Sequence, residues 1–267
     1  MRPHTTGFGL RALRLTRFVL HILRAVLIAA CVFPWLERPA RRHRLQQWSA
    51  QLLGILAVRR HVTGAAQYGG AALLVANHVS WLDIFAINAV RPTRFVAKSE
   101  IRGWPLIGWL CARGDTLFIH RNRRHHTREI NQAMATALTA GESFAVFPEG
   151  TTTHGDVLLP FHTSLLQPAL VAGVGILPVA IRYTRADGSL CTEADYEGDK
   201  NLFQSLLQLL TQPEVEVRLQ FLPAMASAGM DRRGLADAAA ADIATALGLA
   251  APSRRAGSAR GPTASVR

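Results

Sequence analysis

The sequence predicts an α/β domain: a mixed, largely parallel sheet flanked by helices, behind an N-terminal two-helix membrane-contacting element. Three observations carry that expectation. Short apolar runs alternate with helical patterns from about residue 61 onward. The first sixty residues are both apolar and strongly basic. Each polar cluster falls just behind an apolar run, and in sheets of this class sites collect beyond the carboxyl ends of the strands.

The formal charge of +12 lies at the ends of the 267-residue chain. Residues 1–60 hold eleven arginines against the single acid Glu37, and residues 252–267 hold four arginines and no acid. The 191 residues between them carry a net charge of −2. A nucleic-acid binder spreads basic side chains over its folded face with aromatics interleaved, and no such stripe is present. A basic, apolar N-terminus fits an anionic membrane surface. Cys31, Cys111 and Cys191 are odd in number and widely spaced, which argues against a disulfide framework or zinc knuckle and fits a reducing compartment. Together these features place the chain at the cytoplasmic face of the inner membrane.

Within residues 1–60, "RFVLHILRAVLIAACVFPWL" has the look of a leader or a span, but His21 and Arg24 interrupt its apolar run. Arg14, Arg17, His21 and Arg24 recur every three or four positions and form one helical stripe. The spacing suits an interfacial helix, its basic stripe toward headgroups; the alternative is a shallow span with snorkelling arginines. Pro34 ends it. A basic connector, "ERPARRHR", leads into a second helix, "LQQWSAQLLGILAV". The pair is membrane-contacting, or else simply packs on the core.

Residues 61–250 form the core domain. Strands are expected at "ALLVAN", "RFVAKS", "DTLFIHR", "SFAVFPEG", "GILPVAIRYT" and "EVEVRLQFLPA". Between them helices are expected at "WLDIFAINAV", "WPLIGWLCAR" and "TREINQAMATALTA", with a last helix over 231–248. Residues 251–267, rich in Pro, Gly, Ser and Arg, read as a disordered basic tail.

Four clusters carry candidate chemistry. In "NHVSWLD", His78 and Asp83 are five positions apart, a step of about 500° on a helix, so they meet only if His78 stays in the turn before it. Ser80 and Asp83 make a capping-box-like start, which leaves Asn77 and His78 unexplained. On the functional alternative Asp83 orients the imidazole, leaving its other nitrogen free as a general base. No third ligand stands at helpful spacing for a metal. In "LFIHR", Arg121 ends a strand, either solvated or as a bidentate fork for an anion. In "FPEGTTTHG", Glu149, Gly150, Thr151 and Thr152 form a plain glycine turn, or a nest with hydroxyl donors in which Glu149 orients a cation such as Arg121. In "GILPVAIRY", Pro178 marks a sheet edge or a bulge.

In this order, "NHVSWLD", "LFIHR", "FPEGTTT" and "ILPVAIRY" resemble the boxes of the glycerolipid acyltransferase family, typified by 1-acyl-sn-glycerol-3-phosphate acyltransferases. The resemblance covers roughly residues 60–185 and implies an N-terminal two-helix membrane element. It implies that His78, held by Asp83, activates a lysolipid hydroxyl, lysophosphatidate-like, toward an acyl thioester in phospholipid synthesis. Acyl-CoA or acyl-carrier protein is then a co-substrate, with no cofactor and no metal. Asn77, Lys98, Arg121, Glu149, Gly150, Thr151 and Thr152 would place the acceptor headgroup and carrier phosphate.

Two positions depart from the family pattern: His120 stands where an acid often precedes the arginine, and Thr152 where an arginine often follows the threonine. The missing arginine is worth about 1.5–3 kcal/mol of phosphate contact, which points toward another lysolipid, such as a lyso-aminolipid. A thioester needs no enzyme nucleophile, and neither Ser80 nor Ser99 sits in a GxSxG elbow. The rival classes are a non-catalytic membrane lipid-binding protein and a hydrolase using the same dyad.

Overall fold

The computed structural model describes residues 5–64, 69–120, 124–198 and 200–252. Arg121 and residues 253–267 of the tail lie outside them. The chain runs α1 (Phe8–Cys31), α2 (Arg38–Ile55), β1 (Val58–Thr63), β2 (Leu73–Ala76), α3 (Leu82–Val90), β3 (Arg94–Lys98), α4 (Ile107–Arg113) and β4 (Leu117–Ile119). It continues with α5 (Arg124–Thr139), β5 (Phe144–Val146), α6 (Gln167–Ala172), β6 (Ile176–Thr184), α7 (Leu202–Leu209), β7 (Val215–Phe221) and α8 (Arg232–Leu247).

The seven strands form one sheet in the order β1-β7-β6-β2-β5-β3-β4. Every neighbouring pair is parallel except β6–β7. The expected mixed, largely parallel sheet is therefore the observed one. β2 is buried along its whole length, as a strand covered on both faces must be. Leu74 and Ala76 join the layer of α2, α3 and α7, while Leu73 and Val75 join that of α5, α6 and α8. The period-two alternation thus splits one apolar run between two cores.

Three expectations on the elements need correction. "VRRHVT" forms β1, an edge strand paired with β7, so the expected boundary at 60/61 cuts through a strand. Only its first residue is buried, so it gave no alternating apolar signal. The basic connector is helical: α2 begins at Arg38 with Pro39 in its first turn, where a missing N–H costs nothing. Helices α6 and α7 were not expected at all.

Pro178 lies in an interior strand and marks a bulge rather than an edge. The β6–β7 ladder pairs Val179 with Phe221, whereas Ile176 bridges Met225, one residue out of register. The Pro178 carbonyl accepts from Leu222 N at 2.9 Å, so the missing N–H falls at the disturbed rung.

The N-terminal element also departs from expectation. Half of the stripe meant for headgroups, Arg14 and His21, faces protein. Arg14 donates to the carbonyls of Gln212 and Pro213, both at 2.8 Å. His21 is buried, stacks on Trp48 at 4.8 Å and meets the Trp48 carbonyl at 3.0 Å. Burial, with Arg24 adding, holds this imidazole below its usual range against the pull of that carbonyl. Arg24 donates to Gln51 at 3.2 Å, and Arg17 is exposed with no hydrogen bond or ion pair among the described residues. Alongside exposed Arg17 and Arg24, α1 presents an apolar stripe outward: Leu13, Leu20, Leu23 and Leu27 are each at least half exposed. No helix among the described residues is long and apolar enough to cross a membrane.

Candidate active site

The site forms at the carboxyl ends of β2 and β5. After Ala76 the chain leaves the sheet, turns through His78 and enters α3 at Leu82. The turn is pinned by Thr153 N donating to the His78 carbonyl and Tyr196 N to the Val79 carbonyl, both at 2.9 Å.

His78 sits in that turn, as the spacing requires, and its Nδ1 lies 2.8 Å from Asp83 Oδ2. The same oxygen accepts from Val79 N at 2.8 Å and Ser80 N at 3.0 Å, while Oδ1 accepts from the Tyr183 hydroxyl at 2.8 Å. Asp83 is fully buried, so this donor set replaces the water it has lost. Ser80 Oγ accepts from Leu82 N at 3.2 Å. Capping and dyad therefore coexist: one carboxylate closes the turn and holds the ring.

The imidazole stacks on Phe147, centroids 4.1 Å apart and planes 12° apart, with Phe95 beyond. Its side chain stays 21% exposed. Nδ1 is committed to Asp83, and among the described residues no hydrogen bond is made to Nε2. The pattern is that of an oriented imidazole with one nitrogen available.

Glu149 is brought next to the dyad, and its visible partners are backbone amides. Oε1 accepts from His78 N at 2.7 Å and Oε2 from Leu159 N at 2.9 Å. Burial pushes its carboxyl up to about 7; the two amides pull down and Asp83 pushes up. The expected pairing with Arg121 falls outside the described residues. Gly150 follows at φ +79°, a region that favours glycine.

The other expected site residues divide. Asn77 does not face the site: its Nδ2 donates to the Ile181 carbonyl at 2.9 Å and its Oδ1 accepts from Ile181 N at 2.8 Å. The amide prolongs the β2–β6 ladder by one rung, which corrects its assignment to substrate. Lys98 is exposed at the carboxyl end of β3 and Thr151 is exposed in the turn. Thr152 Oγ1 is committed to the Tyr196 carbonyl.

Sequence reasoning missed two groups. Tyr183 closes the Asp83 cluster from β6; a buried tyrosine needs a partner, but nothing local named Asp83 as that partner. His154 lies between Asp195 (2.5 Å from Nδ1) and Glu197 (2.9 Å from Nε2), with Lys200 2.5 Å from Asp195. The Asp195 hydrogen bond chiefly raises the His154 pKa, against partial desolvation. This cluster joins Asp195, Glu197 and Lys200 to His154 in the turn after β5.

The mixed sheet thus carries a His-x4-Asp turn at the end of β2 and a Phe-Pro-Glu-Gly-Thr turn at the end of its neighbour β5. The acyltransferase family model matches residues 41–182, and the chain belongs to that family. It is 42% identical over 217 residues to the lyso-ornithine lipid O-acyltransferase of Pseudomonas aeruginosa, covering 81% of this chain and 83% of that one. It is 38% identical over 174 residues to the 1-acyl-sn-glycerol-3-phosphate acyltransferase of Neisseria meningitidis, covering 65% and 68%. The crystal structure of the 1-acyl-sn-glycerophosphate acyltransferase PlsC from Thermotoga maritima shares the fold, with a TM-score of 0.63 at 22% identity over 88% of this chain and 96% of that one.

The raised Glu149 carboxyl makes stability depend on pH with a defined sign. Between an ordinary value of 4.5 and the folded value of about 7, the folded chain keeps a proton the unfolded chain has released. The group's contribution is present below that window and is lost as pH rises through it. Urea midpoints should therefore fall more for wild type than for Glu149→Gln between pH 5 and pH 8. Parallel curves for the two proteins would refute the assignment.

Proposed function

We propose that the protein moves a fatty acyl group from an acyl thioester to the free hydroxyl of a lysolipid at a membrane surface. The observation that carries this reading is the His78–Asp83 contact of 2.8 Å with Nε2 left open. Nε2 takes the acceptor hydroxyl proton as oxygen attacks the thioester carbonyl. The new C–O bond forms, the C–S bond breaks, and the imidazolium returns its proton to the departing thiolate. Acyl-CoA or acyl-carrier protein supplies the thioester; no step needs an enzyme nucleophile.

For the acceptor, lysophosphatidate is supported by the Phe-Pro-Glu-Gly-Thr turn and by the relatives named for it. A lyso-aminolipid such as lyso-ornithine lipid is favoured by two further observations. Thr152 stands where a phosphate-binding arginine often follows, and its hydroxyl is already taken by Tyr196. The longer and higher-identity match is to a lyso-ornithine lipid enzyme.

Membrane association is supported by the exposed leucine stripe of α1, which water would not favour, and by the neighbouring exposed Trp35. On this reading α1 lies in the interface with its leucines toward acyl chains, at the cytoplasmic face.

His78→Ala should lower kcat/KM for acyl transfer by about 10²–10⁴-fold while thermal stability and vesicle binding persist. Retained activity would remove the base assignment, and thiol release independent of any acceptor would indicate a hydrolase. With both donors and a lysolipid panel read by mass spectrometry, lyso-ornithine lipid should be the preferred acceptor. Thr152→Arg should then raise kcat/KM for lysophosphatidate by about tenfold; an unchanged ratio would reject Thr152 as a selector. Leu20→Glu with Leu27→Glu should leave thermal stability unchanged and abolish sedimentation with phosphatidylglycerol-containing vesicles. Undiminished sedimentation would reject the α1 stripe as the docking face.

A further inference from the structure

Beyond the dyad itself, the Asp83 cluster contains a group that box-matching does not assign. Tyr183 comes from the far end of β6, one hundred residues from Asp83, and its hydroxyl meets Asp83 Oδ1 at 2.8 Å. Tyr183 is 2% exposed and Asp83 0%, so no water can replace that hydroxyl without rearrangement. The division of donors is uneven. Oδ2 serves the His78 ring and the two turn amides, whereas Tyr183 is the side chain on Oδ1.

We propose that Tyr183 is a positioning residue of the acyl-transfer site: its hydroxyl fixes the Asp83 carboxylate and shares its negative charge, so that Asp83 orients the His78 ring without favouring the imidazolium over the proton-accepting form. The proposal rests on the reading of His78 as general base.

The physical argument has two parts. A carboxylate that loses a donor becomes a stronger base, and a stronger anionic acceptor against Nδ1–H favours the imidazolium. An imidazolium cannot take a proton from an alcohol. Tyr183 thus opposes the side effect of the group that orients the ring. Asp83 fixes the tautomer through Nδ1–H, and a donor on Oδ1 spreads the negative charge that does so. The second part is geometric: with Oδ1 held from β6, the carboxylate cannot rotate away from Nδ1.

Among the described residues, two further groups bear on the ring. Glu149 accepts from His78 N and lies close enough to Asp83 to feel its charge, and Phe147 covers one ring face without titrating. Cys191 N donates to the Tyr183 carbonyl, which leaves the phenol untouched. Burial and the Asp83 charge both push the Tyr183 phenol well above its usual value, so it remains a donor throughout the working range.

The test compares wild type, Tyr183→Phe and protein carrying 3-fluorotyrosine. The chain has three tyrosines, so the fluorinated protein is made on a Tyr68→Phe, Tyr196→Phe background. Two quantities are read: the acidic limb of kcat/KM, and the His78 imidazole titration by nitrogen NMR, assigned by its loss in His78→Ala. Tyr183→Phe should move both upward by about half to one pH unit, cutting kcat/KM below the limb by about three- to tenfold, with the donor KM unchanged. The more acidic fluorophenol donates more strongly and should move both downward.

A loss of activity equal at every pH, with the His78 titration unmoved in both proteins, would overturn the proposal and leave Tyr183 a packing residue. Full activity in His78→Ala would instead overturn the general-base reading. The NMR titration still reports the Tyr183–Asp83–His78 coupling in that case, so the two failures are distinguishable. Should the phenylalanine protein fold poorly, the fluorinated protein gives the opposite-signed shift on an intact hydrogen bond.

Discussion

The Asp83 carboxylate is the constraint around which the rest of the site is arranged. A fully buried carboxylate tolerates burial only when its oxygens are supplied with donors. Here they come from a ring in a turn, two turn amides and a strand 100 residues away. Removing any of them leaves a charge short of partners in a dry interior, so the turn, the first residues of α3 and the end of β6 are fixed together. Glu149 repeats the device one strand over: a second buried carboxylate joins the β2 turn to the segment after β5 through backbone amides. Two acids in one small region raise each other's cost, and the Glu149 carboxyl, near 7, shows where that cost is felt.

The sheet explains how such residues come together. β2 lies between β5 and β6, and all three run parallel, so their carboxyl ends open on the same side. Residues 78, 149 and 183 become neighbours because their strands do. Asn77 secures this alignment by pairing with both backbone groups of Ile181 just where the β2–β6 ladder would end. The N-terminal element is built onto this frame rather than appended to it. α2 packs its leucines into the same core as α3, and Arg38, Arg42 and Arg94 meet on Glu142 at the opposite end of the sheet.

Much of this was legible in the sequence. Alternation of apolar runs with helical patterns located six of the seven strands, and the five-residue step correctly put His78 in a turn. What escaped did so for physical reasons. β1 is an edge strand with five of its six residues exposed, so it lacks the apolar pattern that marks a strand. The stripe of Arg14, His21 and Arg24 was correctly placed on one helical face, but periodicity cannot say which way a face points. The carbonyls of Gln212, Pro213 and Trp48 draw it inward. Asn77 stood inside a motif and was assigned to the ligand, when an unfinished ladder was the nearer claimant. Tyr183 could not be paired with Asp83 without the sheet order.

The direction of α1 links the membrane reading to the chemistry. Arg14 is tied to the segment just before β7, which starts beside the end of β6, where the site opens. Phe33, just beyond the other end of α1, lines a small cavity with Pro92 and Arg94 at the start of β3. A 24-residue helix of about 36 Å therefore runs the full height of the sheet, its leucine stripe outward. If that stripe rests in the interface, the strands lie nearly flat along the bilayer and the mouth of the site stays level with the headgroups. A lysolipid hydroxyl sits at that depth. On the proposed function, the acceptor would then reach His78 without its acyl chain leaving the membrane, and only the acyl thioester would have to arrive from water. An upright sheet, with either end toward the surface, would leave most of the α1 leucine stripe in water. The inward turn of Arg14 and His21 leaves the leucines outside, and on the proposed membrane reading burial of that stripe favours the flat orientation.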